Sequence, residues 1–210
     1  MKNGIELEIK LAAGSEAELA RAAADERISS GRRSGTRILE MRSEYYSLCG
    51  GSPEAKNASL RFRSENGKGR VSVKMSAGKS GGCFRRKEWE VSADSVEKGV
   101  ELLRKVPELA PVFEGAAPVP AEKAQFRRTE FECEFEGALM CLALDSGWLE
   151  SPENTFFEME AEYAGGNKDA LLKLSEYLTG KYSLTCENRS KRERCREFRL
   201  LHTAQNAHDF

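Results

Sequence analysis

The stretch GIELEIKL, residues 4–11, alternates apolar and charged side chains without a break. In a β-strand successive side chains point to opposite faces, so one face of this strand is apolar and the other is charged. The charged face consists of Glu6, Glu8 and Lys10. Two carboxylates and an ammonium group in a row have two explanations: they face water, or they line a site that binds ions.

The composition limits the classes of protein to which the chain can belong. Its 210 residues suffice for one large domain, and 33 Lys and Arg nearly balance 34 Asp and Glu. A balanced charge gives no reason to expect nucleic acid or a membrane as a partner. No apolar run approaches the roughly 20 residues of a membrane span. The charges of GIELEIKL interrupt any signal-peptide core, so we expect a cytoplasmic protein.

Cysteine and histidine offer little catalytic chemistry in this chain. None of the six cysteines has CxxC spacing to another, so we expect reduced thiols that pack in the fold. The two histidines, His202 and His208, lie in a polar C-terminal stretch, which argues against a Ser-His-Asp or Cys-His mechanism. The acid and base groups of an active site would then be carboxylates, lysines or metal-bound water.

The hydrophobic pattern predicts eight β-strands, at about residues 4–11, 43–49, 58–64, 69–76, 85–92, 125–134, 139–145 and 156–163. Capping residues and apolar spacing predict four helices, at about residues 15–29, 94–106, 167–179 and 190–200. Residues 76–82 and 110–123 are predicted loops. The GKS at 78–80 lacks both the preceding glycine and the following helix of a phosphate-binding loop. Strands joined by short turns predict an antiparallel meander.

Six further strands repeat the alternation of GIELEIKL, and their charges are sorted by sign. Arginines occupy one face of LRFR (60–63), whereas carboxylates occupy one face of FEMEAE (157–162). Like charges on one face repel each other, so a sheet gains no stability from this sorting. One alternative is a half-buried sheet with its polar face in water. The other is a closed eight-stranded barrel with the charged face inward and the helices covering the apolar outside.

An inward charged face would also predict the ligand. Carboxylates suit hard cations such as Mg²⁺ or Mn²⁺. Lysine and arginine suit phosphate oxygens. A cavity with both kinds of wall describes a site for a metal-bound polyphosphate.

An ordered set of motifs resembles one known family. Glu6-x-Glu8-x-Lys10 is similar to the ExExK signature of the CYTH superfamily, the triphosphate tunnel metalloenzymes. The strands that follow resemble that family in the same order: YYSL (45–48), LRFR, the strand of Lys74, Arg86-x-Glu88-x-Glu90, FRR ending at Arg128, LALD, FEMEAE, and Ser190-Lys191 with Arg194. The resemblance covers roughly residues 4–196. Ser47 departs from it, because YYDT-like versions carry Asp there, and only strand parity favours Arg128 over Arg127 as inward-facing.

The resemblance implies the fold and the roles of individual residues. The fold is α+β, a closed eight-stranded antiparallel β-barrel that forms a tunnel with a charged interior and outer helices. One domain covers residues 1–200, and 201–210 form a polar tail. Catalytic residues are Glu6, Glu8, Lys10, Glu158 and Glu160. Two Mg²⁺ or Mn²⁺ ions are held by Glu6, Glu8, Glu158 and Glu160, with Glu90 and Asp145 as further candidate ligands. The triphosphate is bound by Lys10, Arg61, Arg63, Lys74, Arg86, Arg128 and Lys191.

The neighbouring charges receive other assignments. We expect Glu88 to pair with a cation inside the tunnel, and Glu162 to lie at its rim. Arg70 belongs either to the phosphate clamp or to a solvated turn. Arg192 and Arg194 are predicted to be surface charges.

The leading functional hypothesis is a metal-dependent hydrolase that cleaves the terminal phosphoanhydride of inorganic triphosphate or a related triphosphate. The family also contains class IV adenylate cyclases, thiamine triphosphatases and RNA triphosphatases, so cyclic AMP synthesis from ATP is an alternative. A module that binds polyphosphate without turnover is another. No arrangement of aromatic residues in the sequence builds a clear base pocket, which favours the inorganic substrate. The expected partner is a small-molecule triphosphate, with no nucleic acid and no membrane.

Overall fold

Eight strands close into an antiparallel barrel in the computed structural model, which describes residues 2–50, 58–80 and 83–208, with side chains over 4–50, 58–75 and 86–202. The strands are β1 Lys2–Ala13, β2 Arg37–Cys49, β3 Ala58–Glu65, β4 Lys68–Ser80, β5 Cys83–Ser92, β6 Ala117–Phe135, β7 Ala138–Leu149 and β8 Ser151–Gly166. Around the barrel their order is β1-β5-β4-β3-β2-β6-β7-β8, and β8 returns to β1.

The opening strand β1 closes the barrel. Its residues from Lys2 to Glu8 pair with β5, and those from Glu8 to Ala13 pair with β8. A two-residue strand, β9 Thr185–Cys186, covers the edge of β1 that β5 leaves uncovered at Leu11 and Ala12. The predicted fold class, α+β with a closed eight-stranded antiparallel barrel, is therefore confirmed.

Two tight turns set the register of their hairpins. Asn66 and Gly67 between β3 and β4 both have positive φ, at 49° and 82°. Glu136 and Gly137 between β6 and β7 repeat this with φ of 46° and 78°. Two successive residues of positive φ match the right-handed twist of paired strands. In both hairpins the alternation of the flanking strands is thereby kept in phase across the turn.

The described residues form six α-helices beside the barrel: α1 Glu16–Ala23, α2 Glu26–Ser29, α3 Val96–Leu103, α4 Ala110–Phe113, α5 Asp169–Lys181 and α6 Lys191–His208. A 3₁₀ turn, Pro107–Leu109, precedes α4. None of the helices in the described part of the chain is long and apolar enough to cross a bilayer. Helices α1 to α5 cover the outside of the barrel, because that is where its apolar strand faces point.

Apolar packing therefore takes place mainly between the barrel and its helices. Ile9 and Leu11 of the opening stretch pack in one cluster with Leu19 of α1 and Leu174 of α5. A second cluster joins β3, β4 and β5 to α3, α4 and the 3₁₀ turn, and includes Trp89. Such burial removes the apolar faces from water, which leaves the charged faces of the same strands toward the barrel axis.

The sixth helix lies across one end of the barrel. It packs against β6 and β7, and its Cys195 is buried in a third cluster with Phe126, Phe156 and Leu149. Ser190 and Glu193 form the predicted capping box at its start: Glu193 N donates to Ser190 Oγ at 3.1 Å, and Ser190 N donates to Glu193 Oε2 at 2.5 Å. The first turn of α6 is thereby fixed at the mouth of the barrel.

Three predicted segments were wrong, and β2 begins at Arg37, well before its predicted start at residue 43. The predicted loop 110–123 is helix α4 followed by the start of β6, which pairs with β2 across a bulge at Tyr45 and Tyr46. This part of β6 pairs on one edge only, and an edge tolerates its prolines. The predicted loop 76–82 is also strand, up to Ser80 and from Cys83; residues 81 and 82 lie outside the described residues. The predicted helix 15–29 divides in two, because Asp25 caps a new helix.

Two helical glycines test how tightly the helices pack. A Cβ at Gly99 of α3 would lie 2.2 Å from Cγ2 and 2.3 Å from Cβ of the buried Val71, whereas a Cβ at Gly180 of α5 meets no atom within 4 Å. We expect Gly99→Ala to lower the free energy of unfolding by about 1–2 kcal/mol, since overpacking outweighs the gain in helix propensity. Gly180→Ala, the control, should raise it by about 0.5 kcal/mol. Urea unfolding measures both, and a stabilised Gly99→Ala would contradict the packing.

A buried carboxylate outside the barrel provides a test by pH. Asp25 accepts hydrogen bonds from Lys181, Tyr177 and Tyr182 of the α5 region. Burial opposes ionisation, but these donors lower the pKa of Asp25 from 3.8 to about 2. A lowered pKa contributes stability above pH 3.8 that is lost as the pH falls toward 2. In thermal unfolding, Asp25→Asn should lack this part of the acid dependence. An acid limb identical to that of the wild type would contradict the assignment.

Candidate functional site

The barrel encloses a cavity of about 1230 Å³ along its axis. The charged face of the opening stretch, Glu6, Glu8 and Lys10, lines it, as the second of the two explanations requires. Other strands and α6 add further charged side chains to the lining: Arg61, Arg63, Arg70, Lys74, Arg86, Glu88, Glu90, Arg128, Glu160, Glu162 and Lys191. The tunnel is therefore a mixed ionic cavity, and its charges fall into two groups.

The first group lies on β1, β3, β4 and β5. Lys74 Nζ donates to Glu6 Oε2 at 2.6 Å and lies 3.4 Å from Glu88 Oε2, while Arg61 lies 3.7 Å from Glu88 Oε1. Arg86 donates to Glu8 at 3.2 Å. The pairing predicted for Glu88 is thus present: Lys74, Glu6, Glu88 and Arg61 form one network of four side chains, and Arg86 pairs with Glu8.

The pKa values of two neighbouring carboxylates in this group shift in opposite directions. Burial and the hydrogen bond with Glu88 raise the pKa of Glu6. Burial acts on Glu88 as well, but the hydrogen bond with Glu6 and the charges of Lys74 and Arg61 lower its pKa overall. Two carboxyl groups that share a site move apart in pKa. Here the pKa of Glu6 is raised and that of Glu88 is lowered.

The rim next to the first group holds an arginine pair. Arg70 NH1 donates to Glu90 at 2.8 Å, and its Nε lies 3.1 Å from Glu65. Arg63 lies 2.6 Å from Glu65 and 3.4 Å from Glu90. Arg70, which the sequence left open between clamp and solvated turn, lines the cavity with 42% of its side chain exposed. Glu90 is therefore held by arginines on this side and lies apart from the other candidate metal ligands on β7 and β8.

The second group lies on β6, β7, β8 and the first turn of α6. Lys191 Nζ lies 2.8 Å from Asp145 Oδ2 and 2.8 Å from Glu160 Oε1, and it also donates to Glu158 Oε1. Arg128 makes a bidentate pair with Asp145, at 2.8 Å for each bond, and donates to Glu160 at 2.5 Å. These three carboxylates and their two cations form a deeply buried ionic cluster; Asp145 and Glu158 are 0% exposed.

The two carboxylates of β8 in this cluster have pKa shifts in opposite directions. Burial raises the pKa of Glu158. Burial acts on Glu160 too, but Lys191, Arg128 and Lys10 lower its pKa well below the usual range. Burial opposes the charge of Lys191, yet Asp145, Glu158 and Glu160 raise its pKa. The cluster is thus held together by charges that solvent screens poorly.

Two arginines of α6 were assigned incorrectly from the sequence. Arg194, predicted at the surface, donates to Glu158 Oε2 at 2.7 Å with 13% of its side chain exposed. Arg192 donates to Glu122 at 2.9 Å and to Ser47 at 3.0 Å. For Arg194 the spacing from Lys191 is the signal that was available, since i and i+3 lie on one helix face. Ser47, where the family pattern has Asp, thus accepts a hydrogen bond from α6.

The predicted metal ligands divide between the two groups. Asp145, Glu158 and Glu160 offer oxygens within 4.8 Å of one another. Glu6 belongs to the first group, and Glu8 lies between the groups, 3.1 Å from Lys10 Nζ. All of these donors are carboxylate oxygens, the kind that Mg²⁺ and Mn²⁺ prefer, so the donor set fits such ions.

The chain is similar to known proteins in both sequence pattern and fold. A model of the CYTH domain matches residues 4–195. The Pyrococcus horikoshii protein PH1012 superimposes with a TM-score of 0.57 at 18% identity, covering 90% of this chain and 98% of that one. HpAC1 from Hippeastrum, an adenylyl cyclase candidate described as having a dominant triphosphatase activity, gives 0.59 at 17% identity, covering 91% and 95%. An adenylate cyclase candidate from Bacillus halodurans gives 0.51 at 14%, covering 90% and 96%. At these identities the structures show a shared fold.

The ion pairs change one expectation about stability. Repulsion between like charges on one strand face, taken alone, predicts that neutralising one tunnel carboxylate leaves stability unchanged or raises it. Instead Glu160 is bonded to Arg128 and Lys191. We expect Glu160→Gln to lower the free energy of unfolding by about 1–3 kcal/mol, because charged hydrogen bonds are lost in a poorly hydrated place.

The matched control is Glu132→Gln, an exposed carboxylate on β6. It should change stability by no more than about 0.5 kcal/mol. Urea unfolding of both variants, without added metal, compares the two sites. Equal effects would mean that the charges of Glu160 are as well solvated as those of a surface residue.

Proposed function

The chain belongs to the CYTH domain family, and from this membership and its two-signed tunnel we propose that it is a metal-dependent triphosphatase acting on inorganic triphosphate. The observation that carries the proposal is the convergence of cations and carboxylates on one cavity, from β1, β3, β4, β5, β6, β8 and α6. A substrate that brings its own metal ions matches both signs of charge. A purely anionic or purely cationic ligand would leave half of the lining without a partner.

The proposed phosphate clamp is the set Lys10, Arg61, Arg63, Lys74, Arg86, Arg128 and Lys191. Arginine presents a planar fork that can bind two phosphate oxygens, while lysine supplies a mobile point charge. Two buried donors support this role: the Nε atoms of Arg61 and Arg63 have no hydrogen-bond acceptor among the described residues. A triphosphate in the cavity would give such donors an acceptor.

The proposed metal ligands are Glu6, Glu8, Glu158 and Glu160, with Asp145 beside the last two and Glu90 at the rim. When bound, Mg²⁺ or Mn²⁺ neutralises phosphate charge and lowers the pKa of a coordinated water molecule. The chain's own groups orient the substrate: the cations that now hold carboxylates would turn to phosphate oxygens. The carboxylates they leave would then be free to bind metal.

A second candidate is a nucleoside triphosphate as substrate, with cyclisation as the reaction. The cavity has one uncharged wall, formed by Leu39, Met41 and Phe126. An apolar wall next to a phosphate clamp could contact an organic group. The charged residues fill most of the remaining lining, and for that reason the inorganic substrate is preferred.

The experiment is a comparison of substrates with purified protein. Tripolyphosphate, ATP and thiamine triphosphate are supplied with Mg²⁺ or Mn²⁺, and phosphate, pyrophosphate and cyclic AMP are measured. We expect phosphate release to be fastest from tripolyphosphate and to stop in excess chelator. Glu160→Gln should lower the rate at least about 100-fold, and Glu132→Gln should leave it unchanged.

Other outcomes would replace the proposal. Cyclic AMP and pyrophosphate formed from ATP faster than tripolyphosphate is cleaved would identify a cyclase. Tight binding of tripolyphosphate with no product would identify a binding module. Turnover that persists in chelator would exclude the metal-dependent mechanism.

A further inference from the structure

The ammonium group of Lys191 has a complete set of partners. Lysine has three N–H donors. In this structure they meet one carboxylate each, on Asp145, Glu158 and Glu160. The same three side chains offer the oxygens that lie close enough together to hold a metal ion. Lys191 therefore lies where a cation of that triad would lie.

The triad is accessible from the cavity only on one side. Glu160 and Lys191 line the cavity, whereas Asp145 and Glu158 do not and are 0% exposed. The oxygens of Glu158 are occupied by Lys191 and by Arg194. A metal ion that approaches from the tunnel would meet the ammonium group before it meets the two buried carboxylates.

Two aromatic rings near Lys191 offer its ammonium group an alternative position. Its Nζ lies 5.2 Å from the ring centroid of Phe126 and 5.3 Å from that of Phe156, and Phe126 lines the cavity. Ring faces attract an ammonium group, so a short movement toward the tunnel keeps part of its stabilisation. Lys191 is also the first residue of α6, where the helix dipole favours an anion. A phosphate group is therefore well placed to receive the ammonium group.

We propose that Lys191 is an exchangeable internal cation, which holds the Asp145–Glu158–Glu160 triad and gives it up to a divalent metal when phosphate accepts the ammonium group. This rests on the proposed function, since it assumes a metal-bound phosphate substrate. Charge supports the exchange: three carboxylates already face Lys191, Arg128 and Arg194, so a divalent ion added without displacement would leave excess positive charge. Metal and triphosphate then bind cooperatively, each favouring the other.

The test measures Mn²⁺ binding alone, by calorimetry, without any substrate. In Lys191→Met the competing cation is gone, so Mn²⁺ should bind about tenfold more tightly or better, within the roughly 5–150-fold range of known couplings. Triphosphate should bind more weakly to the same variant. A lysine that only contacts phosphate, or only supports the fold, would not raise the affinity for metal.

The matched control is Arg192→Met. Arg192 is the next residue of α6, lines the same cavity and contacts Glu122 and Ser47 but none of the triad. If the removal of any positive charge near the tunnel raised Mn²⁺ affinity, both variants would show it equally, and the exchange would be refuted. An affinity of Lys191→Met that is unchanged, reduced or undetectable would also refute it.

A second variant keeps the proposal testable if Lys191→Met does not fold. Lys191→Gln keeps a hydrogen-bond donor beside the carboxylates but removes the charge. Its thermal midpoint should rise more on addition of Mn²⁺ than the wild-type midpoint does, because tighter binding stabilises the folded state more. Tripolyphosphate turnover by the wild type is measured separately. Turnover with no gain in Mn²⁺ affinity would refute the exchange and leave the proposed function standing.

Discussion

Closure of the barrel around its own charges is the constraint on which the structure depends. Once β1 pairs with both β5 and β8, the charged strand faces share a cavity instead of bulk water. Charges removed from water are costly unless each has a partner of opposite sign. The described tunnel meets this condition, because carboxylates on some strands pair with cations on others, as Glu6 does with Lys74 and Asp145 with Arg128. The helices follow from the same closure, because the apolar faces are left outside and must be covered.

This arrangement links stability to function. The groups that would bind phosphate are the groups that neutralise the carboxylates, and the reverse also holds. Arg128 illustrates this, since it holds both Asp145 and Glu160 while lying on the cavity wall. A ligand of matching charge can replace such pairs at little net cost, because partners are exchanged and none is lost. The proposed clamp would therefore be preorganised by its own ion pairs.

Much of the fold could be predicted from the sequence, and so could many of the side chains that line the tunnel, although Asp145 and Glu158 do not line it and Arg192 does. Period-two alternation in GIELEIKL assigns each side chain to a face of the strand. The dipeptide Asn66-Gly67 predicts a hairpin turn. The pairing of particular charges could not be predicted, because it depends on the register between strands distant in the chain, as for Lys74 and Glu6. The prolines of 110–123 predicted a loop where β6 begins, because a strand that pairs on one edge only tolerates proline. Arg194 was misassigned because the position of α6 relative to the barrel is a tertiary property.

The most direct test of the account is the anomalous scattering of Mn²⁺ in crystals grown with the metal and tripolyphosphate. The account predicts manganese peaks inside the barrel, within about 2.0–2.6 Å of tunnel carboxylate oxygens. It also predicts triphosphate density between them and the lysines and arginines of the clamp. Peaks confined to the outer surface, with the tunnel ion pairs unchanged, would contradict it.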